Sequence, residues 1–251
     1  MVEAATGERA AIVADGLSRR FGDLEAVRDV SFAVAEGSIT ALLGANGAGK
    51  TTTMRMLTGG LAPSAGRAIV AGADVAADPA RARAATGYLP ESAGGFHHLT
   101  PWELMMFVAE ARGLTAAAVG AELCRIAALL DLDRVLAQPL GTLSKGWRQR
   151  AWLGQALVGD PAVLILDEPT DGLDPTQKIL LRRLLRELAG RKAILMSTHI
   201  LEEAEELCDR VVLMAAGRVV ADSATADLVD RSGRLAPAYQ RLTQPAAADS
   251  T

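Results

Sequence analysis

An α/β fold built on a largely parallel sheet, with an all-helical lobe inserted into it, follows from three features of this sequence. Strand-like and helix-like segments alternate over residues 11–91 and again over 159–230. Between them, over about 92–158, helical patterns follow one another with no intervening strand. Half of the 251 residues are hydrophobic, which excludes a disordered chain and leaves enough for one large domain with a core.

The elements can be justified in order. Residues 1–10 form an N-terminal segment ahead of Ile12–Ala14, a short strand. Ala26–Val34 alternates apolar and polar residues, a turn follows at Glu36-Gly37, and Ile39–Leu43 reads as another strand. Lys50–Leu57 is a short helix stopped by Gly59-Gly60, and Ala68–Val70 and Gly87–Leu89 are short strands. Thr100-Pro101-Trp102-Glu103 combines an N-cap, a proline at the first helical position and a capping-box glutamate. Helical periodicity then runs to about Arg112, resumes from Thr115 to Leu130, and starts a third time near Ser144. Strands at Val163–Leu166, Ala193–Ser197 and Val211–Met214 alternate with helices at Pro175–Ala189 and Leu201–Leu207. Residues 231–251, rich in Ala, Pro and Ser, read as a loosely ordered tail.

Charge and composition exclude several classes. A net charge of −4 and a pI near 5.5 are the reverse of what a phosphate-neutralising nucleic-acid clamp shows. Cys124 and Cys208 sit in apolar, helix-like surroundings without metal-ligand spacing, as two buried thiols of a reducing compartment would. His97 and His98 form a pair with no Cys or carboxylate beside them, a poor start for a zinc site. Met1–Ala10 lacks the apolar region of a secretory signal. The longest apolar runs fall far short of the roughly 20 residues that span a bilayer, so the chain is expected to be intracellular.

Two runs carry chemistry. Gly44-Ala45-Asn46-Gly47-Ala48-Gly49-Lys50-Thr51 fits G-x-x-x-x-G-K-[ST] between a strand and a helix. Composition alone yields about 0.004 such matches by chance. Its glycines let backbone N–H groups turn around a β-phosphate at a helix N-terminus. Lys50 then reaches the β- and γ-phosphates and the Thr51 hydroxyl ligates Mg²⁺, with Thr52 beside it. The second run, Ala162–Leu166, ends in Asp167-Glu168 at the edge where ligands of such sheets bind. Asp167 is suited to hold Mg²⁺ through water and Glu168 to act as general base on an attacking water. Alone, that pair would more often be a solvated strand end; beside the phosphate loop the reading reverses.

Further features narrow the field. Leu143-Ser144-Lys145-Gly146-Trp147-Arg148-Gln149-Arg150 resembles the signature motif of ATP-binding cassette (ABC) ATPases. Glu168-Pro169-Thr170-Asp171-Gly172-Leu173-Asp174-Pro175 looks like that family's Walker B end and D-loop, and Ser197-Thr198-His199 like its switch histidine. Phe21 stands where the family's adenine-stacking aromatic is expected, with an ordinary exposed aromatic as the alternative. The resemblance covers about residues 11–230. It implies a P-loop NTPase cassette with a mixed β-core, an antiparallel β-subdomain and an inserted α-helical subdomain. The core would comprise 11–91 and 159–230, and the helical subdomain 92–158.

By the same resemblance, two cassettes sandwich two ATP molecules head to tail, and the pair is a homodimer or two different chains. Glu168, His199 and Lys50 would be catalytic. Phe21, Gly44, Asn46, Gly47, Gly49, Lys50, Thr51, Thr52 and Glu91 would bind nucleotide, together with Ser144 and Gly146 from the partner. Thr51, Glu91 and Asp167 would serve Mg²⁺. Glu91 stands where the family commonly has Gln, Lys145 where it has Gly, and Trp147 where it has Gln. Glutamate remains a hard oxygen ligand. Lys145 would add charge near the partner's phosphates or point to solvent, and Trp147 would meet the dimer face or a ribose.

These variants resemble the exporter branch that includes gliding-motility and multidrug or antibiotic export ATPases. The implied role is to power a separately encoded transmembrane permease from the inner face of the cell membrane, with no nucleic-acid partner. The competing readings are an importer ATPase and a soluble ABC ATPase acting on nucleic acid or ribosomes. Residues 91–102, with Gly94-Gly95 and apolar Phe96 and Leu99, would link core to lobe and offer exposed anchors for a permease helix. The alternative is a surface loop packed on the lobe.

Overall fold

A computed structural model describes residues 9–91 and 95–243. Parts of the N-terminal segment, of the 91–102 link (including Gly94) and of the tail lie outside the described residues. β1 (Ala10–Phe21), β2 (Leu24–Ala35) and β3 (Ile39–Leu43) precede α1 (Lys50–Leu57). β4 (Ala65–Val70), β5 (Ala73–Asp74), α2 (Pro79–Ala84) and β6 (Thr86–Leu89) follow. Then come α3 (Pro101–Ala111), α4 (Ala116–Leu129), a 3₁₀ turn at Leu140–Thr142 and α5 (Lys145–Leu157). The chain continues through β7 (Val163–Asp167), α6 (Pro175–Ala189), β8 (Ala193–Thr198), α7 (Leu201–Leu207), β9 (Arg210–Ala215) and β10 (Arg218–Ala224). It closes with α8 (Thr225–Leu228) and α9 (Ala236–Thr243).

Two sheets result. An antiparallel sheet runs β2-β1-β4-β5, and a six-stranded sheet runs β10-β9-β3-β8-β7-β6. In the latter every pairing is parallel except β9 with β10, so the core sheet is mixed. Its inner strands β3, β7, β8 and β9 are buried on both faces because both faces are covered. Leu164 and Leu166 point into a core shared with the helices of 101–157, α6 and α7, while Val163 and Ile165 point into a core shared with the antiparallel sheet and α1. The C-terminal ends of β3, β7 and β8 therefore lie side by side and carry the loops that begin at Gly44, Glu168 and His199.

Local signals explain the helix starts. Thr100 and Glu103 make both bonds of a capping box ahead of α3, and Ser144 caps α5 through Trp147 N. Asp174 and Gln177 form a second capping box at α6.

Three expectations need correction. Residues 231–251 are not a loose tail throughout. α9 lies within them, and Leu235 and Ala238 are buried. Arg234 Nη1 pairs with Glu205 Oε2 at 3.0 Å, and Leu235 N donates to Glu205 Oε1 at 2.6 Å. Cys124 is exposed on α4, since its helical position falls outside the buried stripe of Val119, Leu123, Ile126 and Ala127; Cys208 alone is buried. Burial pushes the Cys208 thiol up, so it stays protonated. Leu99 is half-buried against the helical core, and its N–H and C=O bond Phe96 O and Leu140 N, so it is a packing residue and no exposed anchor.

Candidate functional site

The glycine-rich run leaves β3 and enters α1 at Lys50. Gly49, the N-cap of α1, has φ 103°, a conformation that side chains oppose. A Cβ at Gly44 would lie 2.5 Å from the Met214 carbonyl oxygen, and one at Gly49 would lie 2.8 Å from that of Ala26. The loop is thus pressed on β9 at Gly44 and on β2 at Gly49, with no room for a side chain at either position. Its path into a helix N-terminus makes a cradle suited to phosphate.

Lys50 is 6% exposed, and its ammonium is held by the chain itself. Nζ donates to Gly44 O at 2.8 Å and Ala45 O at 3.3 Å and lies 3.7 Å from Glu168 Oε1. Glu168 follows β7 at φ 49°, a strained backbone for a residue with a Cβ. Its N–H donates to Ser197 Oγ at 2.9 Å, and its carbonyl accepts from Gln149 Nε2 at 3.2 Å. His199 Nδ1 stands 3.0 Å from both carboxylate oxygens of Glu168. A carboxylate only accepts, so Nδ1 carries the hydrogen and Nε2 is left for another partner.

Asp167 is fully buried at the end of β7. Ser197 Oγ donates to its Oδ1 at 2.5 Å, whereas Oδ2 has no hydrogen-bond partner among the described residues. Burial holds its carboxyl above the usual carboxylate range, the Ser197 and Thr51 hydroxyls pull it back, and the charges of Glu91 and Glu168 add to the rise. Thr51 Oγ1 donates to Glu91 Oε2 at 3.2 Å. Burial, reinforced by Asp167, pushes the nearby Tyr88 hydroxyl up to about 12. Among the described residues no group of three or more His, Cys, Asp or Glu has metal-holding geometry. The orphaned Asp167 oxygen beside Thr51 and Glu91 nonetheless fits a hard cation that takes its remaining ligands from water and phosphate.

Lys50, Thr51, Glu91, Asp167, Glu168 and His199 thus converge on one sheet edge. Phe21 is 45% exposed at the end of β1, with the Arg19 guanidinium 4.8 Å from its ring centroid. Ser144 and Gly146 open α5 beside the start of α6, where a Cβ on Gly146 would lie 2.7 Å from Gln177 Oε1. Lys145 Nζ pairs with Asp171 Oδ2 at 2.7 Å, and its stem crosses Gly172. Trp147 is half-buried, with the Arg150 guanidinium 5.0 Å from its ring centroid.

Sequence reasoning assigned no role to Gln149 or Ser197. Both lay inside quoted motifs, but their partners are 19 and 29–30 residues away and only the fold supplies them. Nor was a role assigned to Glu203, which joins Thr198, five residues before it, to Thr170, 33 residues away.

Comparison with known proteins agrees with this geometry. The ABC transporter family model matches residues 27–171. The Nod factor export ATP-binding protein I of Burkholderia orbicola (strain AU 1054) is 39% identical over 215 residues, 85% of this chain and 71% of that protein. An uncharacterized ABC transporter ATP-binding protein of Bacillus subtilis (strain 168), YxlF, is 37% identical over 205 residues, 82% of this chain and 68% of that one. The solved structure of an ATP-binding subunit of an ABC transporter superposes with a TM-score of 0.85 at 32% identity, covering 93% of this chain and all of that one. Motif order, sheet-edge geometry and these likenesses agree: the chain belongs to the ABC transporter family, as an ATP-binding subunit that hydrolyses ATP.

Proposed function

We propose that the chain powers export through a separately encoded membrane permease, on the inner face of the membrane, as one of two cassettes that close head to tail on ATP. The observation that carries the hydrolytic part is the cluster of Lys50, Glu168 and His199 beside the orphaned oxygen of Asp167. Export is supported by the Nod factor export proteins among its relatives. Among the described residues no helix is long and apolar enough to cross a membrane.

In this reading the Gly44–Thr52 cradle, including Asn46, Gly47 and Gly49, wraps the phosphates, and Phe21 stacks on adenine. Lys50 turns its ammonium from Gly44 and Ala45 to the phosphate oxygens. Glu168 takes the proton of the attacking water. His199 orients Glu168 through Nδ1 and offers Nε2 to the γ-phosphate. Ser144 and Gly146 bring the α5 N-terminus to the partner's nucleotide. Thr51, Glu91 and Asp167 would hold Mg²⁺, which neutralises charge on the phosphate oxygens. For the permease, Phe96 is 44% exposed and packs with Phe107 at 5.9 Å and Trp152 at 6.3 Å between ring centroids. This aromatic group at the core–lobe link is suited to anchor an apolar helix face.

Substitution tests the assignment. Glu168→Gln should retain ATP binding and lose turnover by about 10²–10⁴-fold. It should also dimerise on adding ATP in light scattering, whereas Glu168→Gln with Ser144→Arg stays monomeric. Lys50→Ala should weaken nucleotide binding or turnover. Near-wild-type hydrolysis by Glu168→Gln would remove the general base; ATP-driven dimerisation of the double variant would remove Ser144 from the interface.

A further inference from the structure

Glu203 on α7 is 1% exposed and belongs to none of the roles above. Its carboxylate is fully engaged. Oε1 accepts from Thr170 Oγ1 at 2.7 Å and Lys178 Nζ at 3.0 Å, and Oε2 accepts from Thr198 Oγ1 at 2.9 Å. Thr198 Oγ1 in turn accepts from Ile200 N at 3.0 Å. A carboxylate withdrawn from water is costly unless its oxygens are bonded, and here the partners come from three separate places. Thr170 stands two residues beyond Glu168, Thr198 immediately precedes His199, and Lys178 lies on α6.

We propose that Glu203 is a positioning residue for hydrolysis: by binding Thr170 and Thr198 at once, it holds the two backbone segments that set the Glu168–His199 contact. The contact needs such support. Glu168 sits at φ 49°, and a strained residue keeps its place only where its surroundings over-determine it. The Ser197 and Gln149 bonds fix the peptides around Glu168. The Ser197 bond ties Glu168 to the end of β8 but leaves Thr170 and the turn from Thr198 to Ile200 without a link to each other. Glu203 supplies that link, and Lys178 balances its charge from α6, so α6 and α7 enter the same network.

The proposal rests on the assignment of Glu168 as general base, and the test separates the two. Mg²⁺-dependent ATP hydrolysis, nucleotide affinity and thermal melting are measured on the purified full chain. The variants are Glu203→Gln, Thr170→Val, Thr198→Val and the hydroxyl-preserving Thr170→Ser and Thr198→Ser. Misplacing a reacting group by about an ångström can cost about 10²-fold, so Glu203→Gln should lower kcat by at least about tenfold. Nucleotide affinity and KM should stay as in the wild type, and the two serine variants should turn over normally. In a Glu168→Gln background Glu203→Gln should cause no further loss, because it acts through the same step.

Wild-type kcat in Glu203→Gln would overturn the proposal. So would an equal loss in affinity and kcat, or an undiminished extra loss in the Glu168→Gln background. If Glu203→Gln fails to melt cooperatively, the valine variants decide: normal kcat in both overturns it, and lowered kcat restored by serine supports it. An active Glu168→Gln would refute the general-base assignment, whereas an inactive one beside a fully active Glu203→Gln refutes only the role of Glu203.

Discussion

Asp167 carries its carboxyl in an unfavourable place, fully buried and with one oxygen unpartnered among the described residues. Its raised proton affinity means that the folded state disfavours the charged form. The resulting cost is absent below the ordinary carboxylate pKa, grows as pH rises through the raised folded value, and is complete above it. Asp167→Asn should therefore melt higher than wild type at neutral pH without added nucleotide or Mg²⁺. The difference should vanish toward pH 3–4, roughly the range where free carboxylates protonate. Paired melting curves over this pH range check it, and ATP hydrolysis by the variant should fall with its weakened response to Mg²⁺. Chemistry-bearing side chains such as Lys50, Asp167, Glu168 and His199 were legible because each sits in a short run at a strand end. Gln149, Ser197 and Glu203 were not, because their roles depend on partners brought near by folding.

The start of α5 and the loop into α6 illustrate the scale of elements. Lys145 spans Gly172 to reach Asp171, and a Cβ on Gly172 would collide with the Lys145 stem. Gly172 also has φ 76°, so it is favoured there by its own backbone and by its neighbour. The ion pair itself is half exposed, and such pairs contribute about 0–1 kcal/mol. Lys145→Ala should thus change unfolding free energy by less than about 1 kcal/mol, whereas Gly172→Ala should cost about 1–3 kcal/mol. Denaturant titration of both variants measures this directly. Among elements, α1 and α6 were read from sequence to the residue, since proline, capping residues and glycine mark their ends. β5, α2, β10, α8 and α9 were not. β5 and α8 have two and four residues, and the partly exposed β10 lacks a clear apolar alternation.

For the whole molecule, the alternation of segments predicted the largely parallel sheet and the helical insertion, since both faces of such a sheet need cover, whereas its mixed character was implied only by the family resemblance. The order of its strands was not legible, because β3 lies between β8 and β9, more than 150 residues away in sequence. Nor was the docking of α9, held by Glu205 of α7, by buried Leu235 and Ala238, and by Tyr239 and Leu242 packed on the core. Leu235 is 2% exposed, and truncating a leucine so buried costs about 2–5 kcal/mol. Leu235→Ala should therefore lower the melting temperature while leaving ATP affinity unchanged, because Leu235 belongs to the core around the helices, bonds α7 and forms no part of the phosphate cradle. Calorimetry and nucleotide titration on the same preparation test both halves.

The bonds that Lys50 makes within the chain have a kinetic meaning. A phosphate that recruits this ammonium must first displace two carbonyls and draw it from Glu168. In the proposed mechanism Glu168 then exchanges its neighbouring ammonium for the attacking water. Arrival of the nucleotide would thus be what clears the Glu168 oxygens for that water.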